Sequence, residues 1–166
     1  MQHLLDRVKT LLGGASPSTP ETGPEAAQVA CAALLLQMAS ADFEADPVEL
    51  QLVERTLHRL LHPTDPTEIE RLVDQARQRA EDSVSLYDFT AVIHRDWELE
   101  AKTALVRELW SVAFADGAID PKEELLVRKV AGLLHLPHPD FIAAKQAARE
   151  RHLAGGDFGD GTGDRR

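Results

Sequence analysis

Two stretches of this chain, Ala41-Asp42-Phe43-Glu44-Ala45-Asp46-Pro47-Val48-Glu49 and Ala115-Asp116-Gly117-Ala118-Ile119-Asp120-Pro121-Lys122-Glu123, share the pattern A-D-x-x-x-D-P-x-E. At the same offset Leu52 meets Leu126, Val53 meets Val127, Leu60 meets Leu134 and Pro63 meets Pro137, so helices repeat together with the loops. Self-similarity of this kind predicts an internally duplicated helix-loop-helix unit. In each copy an apolar helical segment runs into Ala-Asp, three residues turn the chain, and Asp-Pro-x-Glu opens the next helix.

The frame around these loops reads as helical. Ala, Leu, Glu, Gln and Arg dominate, aromatic residues are 5% of the chain, and no period-two alternation marks a strand. With 166 residues, 43% of them hydrophobic, one ordinary core is expected. The predicted fold class is all-α, a compact helical bundle carrying the duplicated unit. Residues 1–12 place Leu4, Leu5, Val8, Leu11 and Leu12 on one face of a short amphipathic helix expected to dock on protein. Residues 13–24 are a linker by composition, 25–152 form the domain, and 153–166 make a Gly-rich tail expected to be disordered.

Within the domain, Ala26 to Ser40 is apolar nearly all round, which marks a helix buried centrally. Pro47 to Leu61 carries Leu50, Val53, Leu57, Leu60 and Leu61 on one stripe; Asp65-Pro66-Thr67-Glu68 opens a helix with Ile69, Leu72, Val73, Ala76 and Ala80 inward. Ser85 is an expected N-cap for a helix burying Leu86, Phe89, Val92 and Ile93, and Asp96 an expected cap for the next, which runs to about Phe114 with Leu105, Leu109, Val112 and Ala113 on its buried face. Pro121 to Leu134 carries Leu126, Val127, Val130, Leu133 and Leu134, and Leu136-Pro137-His138-Pro139 turns the chain into a last helix through about His152.

A net charge of −10 argues against phosphate backbones and anionic lipid, so neither nucleic acid nor a membrane is an expected partner. The single cysteine, Cys31, lies in the apolar run Val29 to Met38 and is expected to pack as a small hydrophobe. No signal-peptide core or spanning stretch is found, and a cytoplasmic location is expected.

Asp-Pro-x-Glu is itself a helix-capping pattern, with Asp at the N-cap, Pro at the first helical position and Glu at the third. Asp65-Pro66-Thr67-Glu68 repeats it without the preceding Ala-Asp. Capping therefore accounts for Asp46, Glu49, Asp120 and Glu123 as well as function does. Asp42 and Asp116 differ, because each is expected at a helix C-terminus, where the macrodipole disfavours a carboxylate by about 0.3–1 kcal/mol. A cation, a nearby Lys or Arg, or exposure to water would each compensate. The loops are not EF-hands, since Val53 or Val127 falls where a bidentate Glu belongs. His58 and His62 have the spacing of helical zinc ligands but lack a third, and are expected to face solvent.

The paired loops, the run SLYDFTAVI, the segment LWSVAFADGAIDPKEELLVRKVAGLLHLPHPDF and the N-terminal helix resemble the tellurite-resistance TerB-like family from about Ala26 to Lys145. The resemblance implies a compact all-helical fold and a divalent-metal site drawn from Asp42, Asp46, Glu49, Asp116, Asp120 and Glu123. The chain departs from the pattern at Phe43, where the second loop keeps Gly117. Oxygen ligands without nearby sulfur or imidazole suit Ca²⁺, Mg²⁺ or Mn²⁺. No catalytic constellation is readable, so the expected function is non-catalytic metal binding in metal or stress response. The alternative is a helical protein-protein interaction module, its partner unidentified, in which the acidic loops are caps alone.

Overall fold

Leu34, Leu35 and Leu36 are consecutive and all at most 1% exposed. Successive helical residues are about 100° apart, so three in a row cannot be buried unless neighbours surround the helix. The computed structural model, which describes residues 24–40, 45–81, 85–115 and 117–155, supplies those neighbours. Helix α1 (Pro24–Ala39) packs on α2 (Pro47–Leu61), α3 (Thr67–Glu81), α4 (Leu86–Asp96) and α5 (Leu99–Phe114). Helix α6 (Pro121–Leu133) lies on α4 and α5, and α7 (His138–Leu153) packs chiefly along α5. The described residues are helices and connections, with no strand among them, so the all-α class stands.

Most of the expected apolar stripe is buried: Val53, Leu57, Ile69, Leu72, Val73, Ala76, Phe89, Ile93, Leu105, Leu109, Val127 and Val130 all belong to one core. Leu126 and Leu133 are only half-buried, because α6 lies at the edge of the bundle. The helix ends follow local chemistry. Ser85 and Asp88 form a reciprocal capping box that opens α4. Pro24, assigned to the linker on composition, instead begins α1, and Leu153, assigned to the tail, ends α7.

One expected cap is overturned. Asp96 does not open α5: it ends α4, where Arg95 donates to both of its carboxylate oxygens at 2.7 and 2.9 Å. A bidentate charge-assisted pair outcompetes a cap. Glu98 takes the N-cap position of α5 with no side-chain bond. Residues 1–12, most of the linker at 13–24, the tail beyond Gly155, and the loop residues Asp42, Phe43, Glu44 and Asp116 lie outside the described residues.

Candidate functional site

Both Asp-Pro-x-Glu stretches fold as their local chemistry dictates. Asp46 accepts from the N–H groups of Val48 and Glu49 at 2.8 and 2.9 Å, and Glu49 accepts from the Asp46 N–H at 2.9 Å. At α6, Asp120 accepts from the Lys122 N–H at 2.7 Å and Glu123 accepts from the Asp120 N–H at 3.1 Å. Each box satisfies helix N–H groups that would otherwise lack partners and places carboxylates at the positive end of the macrodipole. A carboxylate offers about four acceptor positions, so capping does not exhaust its capacity for a cation. Truncating Asp46 or Asp120 to Ala is expected to cost about 1 kcal/mol each. Urea unfolding checks this, and no loss in either variant would show that the boxes are idle.

The third Asp-Pro-x-Glu stretch behaves differently. Its helix begins at Thr67, and the Asp65 carboxylate accepts from the Thr67 N–H and hydroxyl, both at 2.9 Å. Those bonds hold the Asp65 carboxyl below its usual range, the backbone bond contributing most. The reciprocal box seen at α2 and α6 is not formed with Glu68.

In the second loop Gly117 sits at φ 84°, a left-handed conformation that costs glycine little, and its N–H reaches the Phe114 carbonyl at 2.9 Å. Ala45 and Ile119, the residues before the two caps, both pack against the core and pin the loop exits. A cavity of about 580 Å³ then joins the second loop to the end of α1: it is lined by Gln37, Met38 and Ala39, by Leu86 of α4, and by Asp120, Lys122, Glu123, Leu125, Leu126 and Lys129. Ala39 is three positions before Asp42, so the segment feeding the first acidic loop shares a cavity with the box of the second. Asp46 and Glu49 do not line it. Among the described residues no group of three or more His, Cys, Asp or Glu is placed to hold a metal ion, and Asp42 and Asp116 lie outside that set.

Other polar candidates are resolved by their surroundings. His58 and His62 are exposed, and His62 ends α2 in a left-handed conformation, donating its N–H to the His58 carbonyl. Cys31 is buried, and burial, with the nearby Glu108 charge adding to it, pushes its thiol far above the ordinary range. A thiol so held is a poor nucleophile. Sequence reasoning passed over Glu108, whose side chain is 3% exposed and accepts from Arg59 of α2 and Arg151 of α7, both at 2.9 Å. The available signal was its spacing: Leu105, Glu108 and Val112 lie at i, i+3 and i+7, a charge within an apolar stripe. Lys102, on the same helix and also buried, meets His94 Nδ1 at 2.9 Å.

Geometry thus defines a class: an all-helical bundle in which an acidic, box-capped helix start and the end of a buried central helix enclose one cavity. The chain belongs to the TerB family, matching the family described as tellurite resistance protein TerB over residues 28–146. A crystal structure of a protein of unknown function from Porphyromonas gingivalis W83 is similar, with a TM-score of 0.54, 22% identity, and coverage of 78% of this chain and 98% of that one. At that identity the likeness establishes the fold alone. No curated protein matches the chain. Among the described residues no helix is long and apolar enough to cross a membrane.

Proposed function

We propose that this is a non-catalytic domain that binds a hard divalent cation, Ca²⁺, Mg²⁺ or Mn²⁺, with carboxylates of its two acidic loops, and serves in metal or stress response. The observation supporting this reading is the shared cavity, which sets Asp120 and Glu123 beside the segment that leads into Asp42. The donors fit the ion class, since they are carboxylates with neither thiolate nor imidazole lining the cavity. When bound, the cation would supply charge neutralisation to a crowded acidic surface. Asp120 and Glu123 would act from α6, and Asp42 and Asp116 would complete the set.

The family name of tellurite resistance supports a stress role. The second reading is an interaction module. Its support is that both boxes close through their own hydrogen bonds and that Leu125 is left 52% exposed at the cavity.

Titration calorimetry separates the two. A cation that binds only the folded state stabilises it by about 2.7 kcal/mol at a hundredfold excess over Kd. Asp42→Asn with Asp116→Asn is expected to abolish that gain while leaving metal-free stability unchanged or slightly raised. Absence of binding at millimolar concentrations of all three ions, or a double variant that responds like the parent, would replace the metal reading with the interaction module.

A further inference from the structure

The joint at Glu108 gathers more positive charge than one carboxylate neutralises. Arg59 of α2 and Arg151 of α7 each donate to a different oxygen of Glu108 at 2.9 Å, and Arg107, the preceding residue on α5, brings a third guanidinium to the same place with its Nε 3.9 Å from Oε1. Three cations against one anion leave a local surplus of two positive charges in a chain of net charge −10. The turns on either side add no second carboxylate. Residues three and four positions away share a helical face, and none of those flanking Arg59, Arg107 or Arg151 is acidic.

The donors are also incompletely used, since a guanidinium carries five N–H groups. Among the described residues Arg59 donates through Nη2, to Glu108 and at a long 3.4 Å to the Thr56 hydroxyl. Arg151 donates through Nη1, to Glu108 and at 3.5 Å to the Ser111 hydroxyl. Arg107 makes no hydrogen bond through its guanidinium among the described residues, and its Nε is buried without a partner. The Glu108 side chain is 3% exposed while the three arginine side chains are 38–39% exposed, so the carboxylate lies beneath guanidiniums that remain open to solvent.

Planar guanidinium forks match the oxygens of phosphates and carboxylates, and arginine gives up its hydration more readily than lysine. A surplus of two charges favours the phosphate group, which carries about −1.5 to −2 at pH 7, over a carboxylate. The acidic remainder of the chain repels a polyanion such as nucleic acid, which leaves a small, discrete anion. We propose that Arg59, Arg107 and Arg151 form a binding site for a phosphate dianion, free or as the end group of a small monoester, seated on the solvent side of Glu108. Arg107 is the main anchor because its donors are uncommitted, and Arg59 and Arg151 turn unused N–H groups to the ligand while holding Glu108. The ligand ties α2, α5 and α7 from above as Glu108 ties them from below, and Glu108, as a like charge, limits the affinity. The site shares no residue with the acidic loops, so its failure leaves the cation reading untouched.

The probe is inorganic phosphate, titrated at neutral pH and constant ionic strength into the full chain in buffer freed of divalent ions, with glycerol phosphate as a second arm. The readout is the NMR Nε–H resonances of the arginines. Saturable shifts are expected that chloride does not reproduce, and the tighter of the two probes distinguishes the free ion from the ester. Arg107→Gln leaves both hydrogen bonds to Glu108 in place. Followed at Arg59 and Arg151, it is expected to weaken binding by about tenfold or more, the loss of one hydrogen bond between charged groups. Glu108→Gln is expected to tighten binding, because it removes the competing carboxylate; a cluster that served only to neutralise Glu108 would show neither effect. The absence of a saturable shift with either probe, an Arg107→Gln variant that binds like the parent, or weaker binding in Glu108→Gln would overturn the proposal.

Discussion

Replacing Arg59 and Arg151 together with Met is expected to destabilise the domain by about 3–5 kcal/mol, the penalty of a buried charge left without its partners. The direction follows from who is buried. The Glu108 side chain is 3% exposed, whereas Arg59 and Arg151 are 39% and 38% exposed. Freed guanidinium groups would be hydrated where they stand; the stranded carboxylate would not. Arg107 Nε lies 3.9 Å from the same carboxylate, too far for a hydrogen bond, and is no substitute. Glu108→Gln removes the buried charge and keeps an acceptor, so its expected cost is smaller, about 1–2 kcal/mol. Guanidinium unfolding at neutral pH measures both. If Glu108→Gln proved the more damaging, the attraction would matter more than desolvation and this account of the joint would fail. The cluster ties α2, α5 and α7, so its loss should also loosen the C-terminal helix.

Trp110→Ala is expected to cost about 3–5 kcal/mol, among the largest effects of any single truncation here. Trp110 is fully buried on α5, its ring 6.0 Å from Phe114 and 5.8 Å from Phe141, with Lys145 Nζ 4.6 Å from its centroid. It joins α5 to α7 through Phe141 and Lys145. A domain of this size shifts in melting temperature by about 3–5 °C per kcal/mol, so a drop of about 9–25 °C should appear in calorimetry. Trp110→Phe should be much milder, since the indole N–H is buried without a partner among the described residues and its removal offsets part of the lost packing. A Phe variant as unstable as the Ala variant would contradict that reading of the N–H.

The residues of the candidate site illustrate what short-range chemistry makes legible. Asp46 with Glu49, and Asp120 with Glu123, bond within three residues of chain, so the pattern Asp-Pro-x-Glu was enough to place both boxes. It was not enough at Asp65, where a Thr two residues on took the carboxylate, and at Asp96, a cap expected without that pattern, Arg95 took it. Such competitions are also local, but they are decided by geometry rather than residue type. Asp42 and Asp116 lie outside the described residues.

By itself, the sequence determined the all-α class, the apolar stripes, most helix limits and the two capped helix starts, because each depends on spacing of 3 or 4 residues and on hydrogen bonds within one turn. Tertiary structure alone decided the rest. Glu108 meets Arg59 and Arg151 across 49 and 43 residues of chain. The cavity gathers Met38, Leu86 and Leu126 from three helices. No periodicity encodes such meetings. They follow from the order in which helices pack around α1, and that order is set by the total burial of many side chains rather than by any residue's neighbours in sequence.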